Sequence, residues 1–186
     1  MARENALSSA YSLFNHYFDR MQISPDAIRF VVPGELRGKQ RARSRVLTKR
    51  NGEVVRGKGG RPIITHHTPD QTVDYESNVA VWYRSVRTGP PTDAPVILLL
   101  DITHMVNADW PLWKRTLISM AKMLPVRKPD GDNIEKIVKD ALNKVAWNDD
   151  TQVVATMKRK RFGDEPGVSV TIIPLGELPS TVNRKP

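Results

Sequence analysis

The sequence predicts an α+β fold, a single domain in which helices flank a mixed β-sheet. Three observations point there. Short apolar runs at 28–32, 96–103, 152–161 and 168–174 are bounded by turn residues and have the length of strands. Longer stretches between them, about 68–86, 109–123 and 132–146, carry helix-start signals or a 3.6-residue apolar period. The chain has 186 residues with 39% hydrophobic content, enough for one core with some terminal length to spare.

Taken in order, residues 1–25 hold Leu7, Tyr11, Phe14 and Phe18 at helix-like spacing before Ser24-Pro25. They read as an appended helix outside the main domain. IRFVV at 28–32 is a strand closed by Pro33-Gly34. Lys39, Arg41, Arg43 and Arg45 then alternate with Gln40, Ala42 and Ser44. In an extended backbone that period of two sends all four cations to one side. NGEVVRGKGGRP at 51–62 reads as a flexible tip. Thr68-Pro69-Asp70-Gln71 has the grammar of a helix start, with Thr68 at the N-cap, Pro69 at the first helical position and Gln71 closing a capping box. That helix is expected to run to about residue 86 and to bury Val73, Val79, Trp82 and Val86.

VILLLDIT at 96–103 is apolar on both faces, as a central strand is. Asp109-Trp110-Pro111 starts a helix to about residue 123, exposing Lys114, Arg115 and Lys122. In 132–146 the residues Ile134, Ile137, Val138, Ala141, Leu142 and Val145 follow the helical period, and Asp132 stands where it would cap the N-terminus. Two strands at 152–161 and 168–174, joined by a turn at 163–167, read as a closing hairpin. The expected organisation is a helical extension at 1–25, the main domain at 26–175 and a loosely ordered tail at 176–186.

Composition narrows the function. The absence of cysteine removes disulfides, thiolate nucleophiles and Cys-based zinc sites together. The longest apolar run, 96–100, is far too short to span a bilayer, and the N-terminus has no signal-peptide apolar region, so a soluble intracellular protein is expected. Lys and Arg total 29 against 20 Asp and Glu, a net charge of +9. Residues 37–61 hold ten Lys/Arg and one acid, Glu53, so this segment alone carries the whole excess. Localised positive charge is the footprint of a polyanion such as nucleic acid; a basic loop that merely keeps the protein soluble is the plainer reading.

The chemistry concentrates in RKPDGDNIEKIVKDALNKVAWNDDTQVV, residues 127–154. Asp130 and Asp132 are separated by one glycine just before a helix. In extended chain such a pair points to one side, within reach of one hard cation, and Gly131 lets the backbone come close. Mg²⁺ takes few carboxylates and completes its octahedron with water and phosphate. Lys136 lies one turn after Asp132, opposite the apolar stripe, where a cation would neutralise charge building on a phosphoryl oxygen. Its alternative is an ordinary salt bridge with Asp132 or Asp140. Asp149-Asp150 is a second acidic pair, in a loop entering a strand; alone, it reads equally as a solvated turn. Other features are weaker: His66-His67 as a metal pair or a surface turn, Trp82, Trp110 and Trp147 as anchors or stacking platforms, and KRKR at 158–161 as phosphate contacts or a solvated edge.

This combination closely resembles the RusA family of Holliday-junction resolvases, marked by a D-x-D-N-[LI]-x-K helix and a W-x-D-D-x-Q-V strand. Here these read Asp130-Gly131-Asp132-Asn133-Ile134-Glu135-Lys136 and Trp147-Asn148-Asp149-Asp150-Thr151-Gln152-Val153. Gly38-Lys39-Gln40-Arg41-Ala42-Arg43, Asp74-Tyr75-Glu76 and the stretch from Glu165 to Val170 extend the likeness over about 27–175. The N-terminal extension departs from the pattern, as does an expected one-residue difference in spacing before Trp147. The resemblance implies a RusA-like symmetric homodimer with Asp130, Asp132 and Asp150 as catalytic metal ligands. It further implies Lys136 as the catalytic lysine, Asp149 as a supporting acid, and Mg²⁺, with Mn²⁺ as the alternative metal. Function would be hydrolysis of phosphodiesters in four-way branched DNA during recombination and repair. Lys39, Arg41, Arg43 and Arg45 would grip the DNA. The protein would be cytoplasmic, bacterial or phage-encoded, nucleoid-associated and without a membrane partner. The competing readings are a non-catalytic branched-DNA-binding protein and an interaction protein whose acids stabilise a dimer.

A helix over 132–146 rises about 21 Å, whereas the four residues to Asp150 recover at most about 14 Å. The sequence therefore favours a site completed by Asp150, or Asp149, of a second subunit.

Overall fold

The computed structural model describes the backbone of residues 2–40 and 43–176, with the side chains of all of these except 2–8, 43, 66 and 67. Its elements are α1 (Ala2–Gln22), β1 (Ile28–Pro33), β2 (Arg43–Val46), β3 (Ile64–His67), α2 (Asp70–Val86), β4 (Val96–Met105), α3 (Leu112–Ser119), α4 (Gly131–Leu142), a single 3-10 turn (Asp150–Gln152), β5 (Val153–Gly163) and β6 (Gly167–Pro174). The expected mixed sheet flanked by helices is present. Its four strands lie in the order β1-β6-β4-β5, and β4 pairs antiparallel with β6 and parallel with β5.

β4 is central because both of its faces are apolar. Val96, Leu98, Leu100 and Ile102 join Phe30, Val32, Val168, Val170 and Ile172 beneath α2 and α4. On the opposite face, Leu99 and Ile173 receive Phe18 of α1. Residues 1–25, read as lying outside the domain, thus lay α1 against the sheet: Phe18 is 0% exposed, a burial that contributes roughly 1.5–3 kcal/mol. Arg159 of β5 reinforces the contact, with its guanidinium 4.4 Å from the Phe18 ring and 2.9 Å from Asp19.

Several expected details change. The strands at 153–163 and 167–174 are not a hairpin, since they flank β4 and pair with it rather than with each other. Placing the doubly apolar strand between them pairs both of its edges, and helices cover its two faces. α2 begins at Asp70 with Pro69 at the N-cap and no side-chain cap bond, so Thr68 is not its cap. Its buried row is Thr72, Tyr75, Val79, Ala80 and Tyr83, while Val73, Trp82 and Val86 are 46%, 42% and 51% exposed. The row with two tyrosines joins the core against the sheet, where Tyr83 meets Phe30 edge-on at 5.9 Å. α3 stops at Ser119, where Ala121 turns left-handed at φ 53° and Ala121 and Lys122 donate back to the carbonyls of Ile118 and Leu117.

α4 begins with Asp130 at its N-cap rather than Asp132, and the Asp130 side chain makes no cap bond. It ends at Leu142, short of the expected Ala146. Lys144 is left-handed at φ 63°, and its N–H donates to the carbonyl of Trp147 at 2.8 Å, folding the chain back so that Trp147 enters the core at 0% exposure. A continued helix would carry that indole past the core. The basic segment is an exposed arm in which β2 pairs with β3, and Leu47, Val55 and Ile63 exchange backbone hydrogen bonds beyond it. The expected tip therefore carries its own short pairing. Among the described residues, no helix is long and apolar enough to cross a membrane.

Candidate active site at the N-terminus of α4

Asp130 and Asp132 flank the first turn of α4, where unpaired N–H groups and the helix dipole favour negative charge. The expected period-two geometry holds only at Asp130, which is extended at φ −72°, ψ 145°; Asp132 is already helical. Both carboxylates are exposed. The amphipathic pattern fixes this orientation: Ile134, Ile137, Val138, Ala141 and Leu142 are all buried, as expected, which turns positions 132, 136 and 140 to solvent.

Beneath that exposed face runs β5, the sheet edge. Its Lys158 ammonium is hydrogen-bonded to Asp132 and lies 2.7 Å from Glu135, whose other oxygen takes Lys139 at 2.7 Å. Partial burial opposes the Lys158 charge, but Asp132 and Glu135 outweigh it and hold the ammonium above the ordinary lysine range. Burial likewise opposes the Glu135 charge, and Lys139 and Lys158 reverse that, holding its carboxyl below the usual range. Lys160, two residues on, donates to the carbonyls of Arg127 and Pro129 and so props the segment leading into Asp130. Its pKa is lowered by burial and by Arg127, against an opposing pull from Asp130. The KRKR run thus divides by strand alternation. Lys158 and Lys160 face α4, whereas Arg159 and Arg161 reach the buried Asp101 at 2.7 and 3.0 Å on the other side.

Lys136 is exposed one turn above Asp132. Its plain alternative, a salt bridge with Asp132 or Asp140, is not what forms: Asp132 pairs with Lys158, and Asp140 pairs with Lys39 at 2.7 Å. Lys39 also meets Glu76 of α2 at 2.5 Å, and its backbone N–H donates to the carbonyl of Asn133. Lys39 is therefore folded against α2 and α4 and leaves the expected period-two row, and among the described residues strand pairing starts at Arg43. Arg45 is exposed on β2; Arg41 and the Arg43 side chain lie outside the described residues, as do the side chains of His66 and His67 on β3.

Asp149 and Asp150 stand at the other end of α4. Asp149 caps the 3-10 turn, accepting from the N–H and hydroxyl of Thr151 at 2.9 and 2.7 Å, and these bonds hold its carboxyl below the usual range. Asp150 accepts the indole N–H of Trp147 at 3.1 Å. Gln152 fastens the loop with four bonds, accepting from the N–H groups of Asn148 and Asp149 and donating to the carbonyls of Thr92 and Ala94. β5 then runs back along α4, so Lys158 reaches Asp132 five strand residues after Val153, roughly 17 Å further on. With α4 ending at Leu142 the four-residue limit on the return no longer applies, yet Asp150 still follows the far end of the helix while Asp132 stands at its start.

Sequence reasoning left Lys158, Glu135 and Gln152 without these roles. Strand alternation inside KRKR signals which two lysines share the α4 face, but only tertiary packing says what lies across from them. Exposed carboxylates at Asp130 and Asp132 are the hard oxygen donors that Mg²⁺ takes in small number. Among the described residues, no three His, Cys, Asp or Glu side chains are grouped to hold an ion. The pair therefore fits a partial metal site and not a complete one.

Comparison with known proteins places the chain in a family. The family model described as endodeoxyribonuclease RusA matches residues 33–173, which include the basic arm, α2, β4, α3, α4, the Trp147–Asp150 loop and β5. A 48-residue segment is 50% identical to "Uncharacterized protein YqaN" of Bacillus subtilis (strain 168), covering 26% of this chain and 34% of that protein. The match thus spans about a third of that relative's length. With a family match over most of its length, the chain belongs to the endodeoxyribonuclease RusA family.

Proposed function

We propose that the protein is a divalent-metal-dependent endonuclease that cuts four-way branched DNA as a symmetric homodimer, acting in recombination and repair. The observation that carries the reading is the exposed Asp130–Asp132 pair at the N-terminus of α4, beside Lys136 and within a chain of the RusA family.

Asp130 and Asp132 would hold Mg²⁺, or Mn²⁺ in its place, at the helix N-terminus. When bound, such an ion polarises a phosphoryl oxygen and lowers the pKa of a coordinated water. Lys136 projects from the same face and would stabilise negative charge gathering on the phosphate. Asp150, positioned by Trp147, would complete the acid set from the second subunit, with Asp149 fixing the loop that carries it. Arg41, Arg43 and Arg45 of the basic segment would hold the sugar–phosphate chain, and phosphate contacts of this kind recognise shape more than base sequence. Lys39 would join that grip only by leaving Glu76 and Asp140, so its part in DNA binding is the weaker half of the assignment.

The test is a labelled four-way junction incubated with the protein, with and without Mg²⁺, beside the Asp132→Asn variant. Paired nicks that need both metal and Asp132 are expected. One observation favours the alternative of a branched-DNA-binding protein without catalysis: a single chain gathers no three potential metal-holding side chains among the described residues. Tight junction binding without cleavage in either metal would establish that alternative.

A further inference from the structure

Two carboxylates stand at the start of α4, Asp130 at its N-cap and Asp132 in its first turn, and Asp132 already has a cation. Lys158 bridges Asp132 and Glu135, one helical turn apart on α4. Its position is built rather than incidental. The aliphatic stem lies across Gly131: a Cβ placed there would meet Lys158 Cδ at 3.4 Å and Cε at 3.6 Å. The glycine between the two aspartates is thus the seat of the lysine stem, and β5 pairing with β4 fixes the strand from which the stem rises. Glu135, only 19% exposed in its side chain, is the more enclosed partner, whereas Asp132 is 78% exposed.

We propose that Lys158 is a resident counter-cation of the metal site, one that yields Asp132 when a divalent ion arrives and withdraws onto Glu135. This rests on the metal-binding reading of Asp130 and Asp132. In the metal-free protein, carboxylates at 130, 132 and 135 crowd one helix end, and the ammonium lowers their mutual repulsion. A divalent ion on Asp132 repels that ammonium, because like charges a few ångströms apart interact strongly in a partly desolvated site. Glu135 gives the displaced ammonium a second anchor, so the lysine changes partner without being expelled to solvent. Lys158 is therefore a positioning residue that sets metal affinity and not a ligand.

Titration of the full-length protein with Mn²⁺ or Mg²⁺ alone, followed by calorimetry and by Mn²⁺ magnetic resonance, tests this without reference to cleavage. Lys158→Met keeps the stem on Gly131 and removes the charge. It should bind metal about threefold or more tighter than the parent, and its melting temperature in EDTA should fall while added metal raises it by more than in the parent. Glu135→Gln should weaken metal binding in the parent, where Lys158 would be left with Asp132 alone, but not in the Lys158→Met background. Equal or weaker binding by a folded Lys158→Met protein would overturn the proposal while leaving the metal site standing. If Lys158→Met does not fold, an unchanged affinity in Glu135→Gln overturns it instead. Absence of binding in the parent, matching Asp132→Asn, would overturn the metal reading itself and this inference with it.

Discussion

Trp147 and Asp150 show how a core residue governs a surface carboxylate. The indole is fully buried, while its N–H ends on an oxygen of Asp150, so core packing sets the position of a candidate ligand. Trp147→Ala should lower stability by about 3–5 kcal/mol in urea unfolding. Trp147→Phe should cost much less stability yet weaken cleavage, because Asp150 loses its donor; equal cleavage by the two proteins at matched folded fraction would refute that link. His104 makes a second residue-scale case. It is 2% exposed, and its Nδ1 accepts from Arg127 Nε at 3.3 Å. Burial, then the charges of Lys160 and Arg127, push its pKa down to about 4. A depressed histidine pKa means that the unfolded chain binds the proton more readily. The stability it contributes is therefore whole above about pH 6.5 and drains away as pH falls toward 4, by about 3 kcal/mol at most. In His104→Asn, the pH dependence of the unfolding free energy between 6.5 and 4 should flatten, and an unchanged slope would rule His104 out as its source.

At the scale of elements, α4 was the most legible part of the sequence, since its apolar residues keep one period and the structure buries each one within the helix. Its ends were not legible. The period continues to Val145, but burial of Trp147 requires the chain to turn first, and nothing local announces that demand. α2 failed differently. Two apolar rows compete on it, and which one faces inward depends on the tyrosines meeting Phe30 and the sheet. The segment before the arm also packs more tightly than a basic run suggests. A Cβ at Gly38 would come within 2.9 Å of Asn133 Cβ and 3.2 Å of Pro129 Cβ, both rigidly tied to the start of α4. Gly38→Ala should therefore cost about 1–3 kcal/mol and shift Asp130 and Asp132. Thermal unfolding would register the first effect and metal titration the second. Unchanged values in both would mean that the two backbones separate without penalty.

For the whole molecule, the decisive fact is that α4 puts its two acidic ends apart. Asp130 and Asp132 open the helix, Asp150 follows its far end, and β5 returns along it. A two-fold partner whose α4 runs antiparallel would bring the end of one helix to the start of another. Mixing Asp132→Asn subunits with Asp150→Asn subunits should then restore cleavage, since half of the sites in a heterodimer regain both residues. Recovery is measured as junction nicking against either variant alone, and none at all would sink the shared site. A site within one subunit predicts no such rescue, since each chain would carry one defect.

The sequence by itself determined the α+β class, the central apolar strand, the amphipathic α4, the localised basic charge and the family. These depend on periodicity, composition and motif spacing, which are local properties of the chain. Only the tertiary structure decided that Lys39 turns inward to Glu76 and Asp140, that β5 and β6 flank β4, that α1 covers the second face of the sheet, and that Lys158 reaches Asp132. Each of these joins residues far apart in sequence. Which distant groups meet is set by the competition to bury apolar area and pair charge across the whole chain, and no window along the sequence contains that competition.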